Sequence, residues 1–213
     1  MADISLDFAN TVEWHAGPNP EERLTSYGKA VEWARRAGIL SDAQAQSLLA
    51  RAGAHPERQA DALRRIIALR EAVYRIFSAV AHDRLPNSTD LEVLNAELTA
   101  ALAHLRLVPA AHSGQDTAES AGAAEPQRFA WIWMGAEDDL TSLLWPVARA
   151  ATSLLTSPEL ARVRECADDC CGWLFLDLSR NASRRWCDMA DCGNRAKARR
   201  YRERKKEESE VAS

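Results

Sequence analysis

The sequence predicts a mainly α-helical protein in three parts. A helical N-terminal domain with one small β-hairpin covers residues 1–160, a small module of β-hairpin and basic helix covers 161–206, and a disordered tail covers 207–213. Three observations lead there. Apolar residues recur at helical spacing through most of the first 165 positions. Two short runs, at 105–108 and 128–134, read as strands instead. All five cysteines lie between Cys166 and Cys192, directly before the most basic stretch of the chain.

From Glu21 to Ala37, Leu24, Tyr27, Val31 and Ala34 keep helical spacing, and Gly38 supplies a stop. Ser41 with Gln44 forms a capping box for the next helix. Pro56 is tolerated in the first turn of a long helix that runs to about His82, with a stripe of Leu63, Ile66, Ile67, Val73, Tyr74, Phe77, Val80 and Ala81. Thr89 with Glu92 suggests another cap, followed by a stripe of Leu91, Leu94, Leu98, Leu102 and Leu105. Residues 110–127 are small, polar and aperiodic, which predicts a mobile loop between the strands LRLV and RFAWIWM. Residues 137–156 return to helix, bent by Pro146, and Ser157 starts a short helix into Cys166.

Composition excludes several classes. At 46% apolar residues, global disorder is excluded. No uncharged apolar run is long enough to span a membrane, and MADISLDFANTVEW lacks a signal pattern, so a cytoplasmic protein is expected. The net charge of −4 hides an asymmetry: 179–206 holds eleven Lys or Arg against three acids, leaving the rest at −12. A basic appendage on an acidic body points to an anionic partner.

The cysteines follow the pattern C-x4-C-x15-C-x4-C, with Cys166 and Cys171 as one pair and Cys187 and Cys192 as the other. Two thiol pairs at loop-sized separation suit a tetrahedral four-cysteine zinc site. Four cysteines can also hold an iron–sulfur cluster. Gly172 and Gly193 follow the second cysteine of each pair, where tight turns are expected. Cys170 is the spare thiol, and equal spacing together with the following glycine favours Cys171 over it as the ligand. The residues between the pairs, with WLFLD as a strand, form a hairpin, and Trp173, Phe175 and Trp186 supply a mini-core. Knuckle, hairpin and a second pair opening a helix make a treble-clef-like zinc finger.

In this region the chain resembles the CGNR zinc-finger family of bacterial proteins. The matching text is CADDCCGWLFLDLSRNASRRWCDMADCGNRAKARRYRERKK, with the signature at Cys192, Gly193, Asn194 and Arg195. The first half is similar to the ABATE domain, a stress-induced transcription regulator, at LDFANT, EWARRAGIL, LREAVYRIF and LLWPVARAATSLLTSP. The resemblance implies one zinc ion on Cys166, Cys171, Cys187 and Cys192, DNA binding, and transcriptional control. Cys170 departs from the family pattern.

On a helical wheel Arg195, Arg199, Arg202 and Lys206 share one stripe, and Arg180, Arg184, Arg185 and Arg200 add charge around it. Guanidinium groups in a row match phosphates and guanine edges, so duplex DNA is the expected partner, bound by a homodimer on paired half-sites. Arg70 interrupts an apolar stripe and needs an acceptor, either Asp7 or a ligand carboxylate. Asn10 either caps a turn or points into a pocket, and Trp14, Trp33, Trp131, Trp133 and Trp145 could line one, which makes a small-molecule effector of the helical domain an expectation. The five scattered histidines and the lack of a phosphate loop, nucleophile elbow or HExxH predict no enzyme. Two rival readings stay open: a finger that docks an acidic protein, and a thiol redox sensor that uses Cys170.

Overall fold

Asp3 begins the first helix by accepting from the Ser5 amide at 2.9 Å. The structure is a computed structural model that describes residues 3–110 and 128–211. Its helices are α1 (Ile4–Ala9), α2 (Tyr27–Arg36), α3 (Asp42–Ala54), α4 (Pro56–Ala81), α5 (Ser88–His104), α6 (Leu144–Leu155) and α7 (Asn194–Val211). The strands form three antiparallel ribbons: β1 (Val12–Glu13) with β2 (Glu21–Glu22), β3 (Leu105–Pro109) with β4 (Phe129–Trp133), and β5 (Val163–Glu165) with β6 (Leu174–Leu176).

α4 is the spine, packed against α1, α2, α3, α5 and β5. Its buried side chains are Ala62, Ile66, Leu69, Arg70, Ala72, Val73, Ile76 and Phe77. Leu69 and Ile76 belong to that face although the stripe read from sequence omits them. The Ser41 capping box forms with both of its bonds, and Gly38 takes φ +73° after α2 as the stop demands.

Several elements differ from the sequence reading. α2 starts at Tyr27, not Glu21, because Ser26 caps it by accepting from the Lys29 amide at 3.2 Å. Leu24 is buried from extended chain, and this imitates helical spacing. The cap of α5 is Asn87, which binds the Thr89 amide at 2.9 Å. The buried face of α5 is Asp90, Leu94, Glu97 and Ala101, while Leu102 points to solvent. The two acids are there because α4 supplies their partners. Arg65 grips Glu97 at 2.9 and 3.0 Å, and Arg75 reaches Asp90 at 2.6 Å. α6 begins at Leu144, so Pro146 sits in its first turn, where a missing amide costs nothing, and does not bend it.

After a short 3₁₀ turn at Pro158–Arg162 the chain enters β5 rather than running as helix into Cys166. α7 continues through Val211, past the boundary read at residue 206, since Glu207 and Glu208 favour helix. The expected tail at 207–213 is thus helical over most of its length, and its last two residues, like most of the 110–127 loop, lie outside the described residues. Among the described residues, no helix is long and apolar enough to cross a membrane.

Candidate metal centre and basic helix

β5 and β6 pair with Val163 opposite Leu176 and Glu165 opposite Leu174, so the chain between them must reverse within residues 166–173. That reversal carries the first cysteine pair. The Cys166 amide donates to the Trp173 carbonyl at 2.8 Å and the Cys171 amide to the Asp168 carbonyl at 3.0 Å. The hairpin therefore surrounds the first pair and does not separate the two pairs, as the sequence reading has it. The second pair spans one wide turn, Met189–Gly193, closed by the Gly193 amide on the Asp188 carbonyl at 3.0 Å. An amide bond from Ala167 to the Arg185 carbonyl, 2.8 Å, brings the two segments side by side.

The sulfur atoms of Cys166, Cys171, Cys187 and Cys192 all lie within 4.8 Å of one another. Cys187 is 3.6 Å from both Cys171 and Cys192. A tetrahedron of thiolates about 2.3 Å from one zinc ion has edges of about 3.8 Å. The cage fits a single ion, whereas an iron–sulfur cluster, with inorganic sulfide between its metals, would hold the thiolates farther apart. Cys170 is outside the cage, which settles the choice between it and Cys171.

The electrostatics lead to the same conclusion. The Cys166 thiol is held far below its ordinary range by hydrogen bonds from Cys171 and Cys187. Cys171 is pushed up by its bonds to Cys166 and Cys187, and Cys192 rises to about 12 through burial and its bond to Cys187. One thiolate is stable among three thiols, but four thiolates at this spacing need a cation. One zinc ion meets that need, held by Cys166, Cys171, Cys187 and Cys192. It supplies the charge that keeps the sulfurs together and shapes the segment around them.

Trp173, Phe175 and Trp186 pack on the cysteines as the sequence predicts. Gly172 takes φ +69°, and a Cβ there would lie 2.7 Å from the Ala16 nitrogen and 2.9 Å from the Tyr74 hydroxyl. Gly193 differs, since only Met189 crowds it and its φ is not positive.

The close approach at Gly172 is part of a seam between finger and helical half. The His15 amide donates to the Cys171 carbonyl at 3.1 Å. The Asn10 side chain donates to the Leu174 carbonyl at 2.8 Å and accepts from the Leu174 amide at 2.9 Å. Asn10 thus extends β6 as a false strand. Asp7 and Asn10 line one shallow cleft beside Trp33 and Trp173. Arg70 is elsewhere, 2% exposed, and its acceptor is Glu22 at 2.6 Å, with Thr11 and Glu71 alongside. Asp7 is not its partner. The tryptophans do not share one cavity: Trp145 stacks on His104 and neighbours Trp133, Trp33 packs on Phe8, and Trp14 lies in the seam.

Arg195 is drawn inward. Its Nη2 lies 2.9 Å from the Cys192 sulfur, its Nε 3.3 Å from Asp168, and its guanidinium sits 4.5 Å over the Trp14 ring. Asp191 takes the remaining edge. Burial opposes its charge, but the Cys192 sulfur, Asp191 and Asp168 more than offset that and raise its pKa. Arg199 pairs with Asp169 at 3.2 Å. Arg184 donates to the Trp186 and Cys187 carbonyls and lies over Phe175, while Arg185 lies over Trp186. Arg180, Arg200 and Arg202 are exposed and have no ion pair among the described residues, and the Lys206 side chain lies outside them.

The stripe read from sequence, Arg195, Arg199 and Arg202, is therefore the side of α7 that faces the seam. On the opposite side Lys197, Arg200 and Arg204 follow at helical spacing, exposed and without ion pairs among the described residues. Sequence reasoning includes Arg200 of this face but omits Lys197 and Arg204, because it follows the stripe of Arg195, Arg199, Arg202 and Lys206.

Residues 162–205 match the family model of the CGNR zinc finger. No curated protein matches the chain. Residues 2–158 match the ABATE model, whose description reads "Putative stress-induced transcription regulator". With that match over most of its length and a four-cysteine centre behind it, the chain belongs to the ABATE family and carries a CGNR zinc finger.

Proposed function

We propose that the protein is a cytoplasmic transcription regulator that acts by binding, not by catalysis, with α7 as its contact to duplex DNA. The observation that carries this reading is the outward face of α7, where Lys197, Arg200 and Arg204 stand exposed and unpaired among the described residues. Zinc holds the root of that helix, so the face is presented in a set direction. Arg180 and Arg185, exposed on the preceding loop, add two further cations to the finger. Arg195 and Arg199, which already have partners, serve the finger and its seam. The helical half is the sensing half, and two copies on paired half-sites would supply the affinity that one small finger lacks.

Fluorescence anisotropy with a random-sequence duplex tests the reading on zinc-loaded protein. Five phosphate contacts from Lys197, Arg200, Arg204, Arg180 and Arg185 predict an affinity loss of about 500-fold between about 50 and 200 mM salt. Replacing Lys197, Arg200 and Arg204 together by alanine should cut that loss to about 12-fold. Absence of DNA binding, or an unchanged salt slope in the triple variant, would remove the proposal.

A further inference from the structure

The seam holds a cavity of about 430 Å³ between three segments of the chain. Trp14 and Pro18 wall it from the β1–β2 loop, Cys170 from the cysteine knuckle, and Ala198, Arg199 and Arg202 from α7. Its base is tightly fitted, since a Cβ on Gly17 would lie 3.1 Å from the Trp14 carbonyl and 3.3 Å from Cys170. The small side chain of Ala198 leaves the space open between the flanking arginines.

The charges around it are unequally satisfied. Arg195 is occupied by Cys192, Asp168 and Asp191. Arg199 shares Asp169, which is itself 75% exposed and so weakly held. Arg202 has no ion pair among the described residues. Asp168 also lines the cavity, but its charge is taken by Arg195, so an apolar wall facing one unspent guanidinium, with a second only loosely engaged, matches an anionic group on a flat or branched apolar body. We infer that this cavity is a binding site for a small organic monocarboxylate. Such a ligand would touch the helical half and α7 at once, on the side of the helix away from Lys197, Arg200 and Arg204. It would change how α7 is held without covering the outward face. Only this effect on DNA rests on the regulator reading, because carboxylate binding is measured without DNA.

Isothermal titration of the zinc-loaded protein with benzoate, salicylate and indole-3-acetate, and with benzamide as the neutral control, tests the site. At least one carboxylate should bind and benzamide should not. Arg202→Ala, a change at an exposed position, should weaken the carboxylate by about tenfold or more, the loss expected for one charge-assisted hydrogen bond. Ala198→Phe, which fills the cavity, should abolish binding, with zinc content unchanged in both variants. Failure of all three carboxylates to bind, or binding that survives both substitutions, overturns the inference. Carboxylate binding by a protein with no affinity for duplex DNA would sustain the site and sink the regulator reading instead.

Discussion

In the helical half the largest fully buried apolar side chains include Phe8, Tyr27, Leu48, Ile66, Leu69, Ile76, Phe77, Leu94, Leu144 and Trp145, spread over six helices. From residue 165 onward the buried side chains among the described residues are three of the four cage cysteines, Leu174, Ala196, Asp168 and Asp177. One region is held by many small apolar contributions, each worth about 1.5–3 kcal/mol for a full side chain. The other is held by a single ion and the polar groups it organises. Distributed and concentrated stabilisation fail differently, and the seam between the regions determines whether one failure reaches the other.

The largest expected effect comes from removing the ion. Structural zinc contributes on the order of 10–16 kcal/mol of apparent binding free energy, which is folding free energy for the finger. Cys192→Ser, or a strong chelator, should unfold the segment from Cys166 to α7. The apolar core around α4 should keep its own cooperative transition. Hydrogen exchange checks this: amides of β5, β6 and α7 should lose protection while those of α4 keep it. Simultaneous loss in both regions would mean that the seam joins them into one cooperative unit.

Gly172→Ala attacks that seam directly. A Cβ at φ +69° is strained, and here it also meets the backbone of Ala16, which cannot swing aside. A destabilisation of about 2–4 kcal/mol is expected, with zinc still bound. Gly193→Ala meets only the Met189 thioether, which can rotate away, so a cost of about 1 kcal/mol is expected there. Thermal melting of the two variants side by side tests the contrast, and equal losses would contradict it.

Asn10→Ala should have a milder effect. It removes both bonds to Leu174 and leaves an edge amide and carbonyl without partners. A loss of about 1–3 kcal/mol is expected, read as faster exchange of the Leu174 amide with α4 unaffected.

How much of this was legible in the sequence depends on how far apart the interacting residues lie. The cage could be read because metal ligands lie within 27 positions and their spacing is constrained by the ion's geometry. The Ser41 cap and the first-turn role of Pro56 are equally local. The need of Arg70 for an acceptor is legible, but Glu22 is not, since β2 is only two residues long and carries no periodic signal. In α5 the sequence pattern misleads at Leu102 because Asp90 and Glu97 do not look buried until Arg75 and Arg65 arrive from α4. Arg195 looked like a free cation for the same reason, because Trp14 and Asp168 are remote in sequence.

Acid should separate the two regions most finely. Zinc requires thiolates, so the metal competes with protons for the four sulfurs. Lowering the pH should release zinc first. The helical half has a different acid limit. The Glu71 carboxylate is held below its ordinary range chiefly by the hydrogen bond with His15, and further by Arg70 and Arg75, against the opposing effect of burial. A carboxylate lowered in the folded state stabilises the fold above its unfolded pKa of about 4.3, and that contribution fades as pH falls through the folded value. Glu71→Gln should therefore cost about 1 kcal/mol at neutral pH, a modest figure because the group is partly in water. The gap from wild type should close in stronger acid. In a pH series of melts the variant should alter the helical transition and leave the pH of zinc release unmoved. A shift in zinc release would show that Glu71 acts through His15 on the Cys171 backbone, and the two regions would then share one acid response.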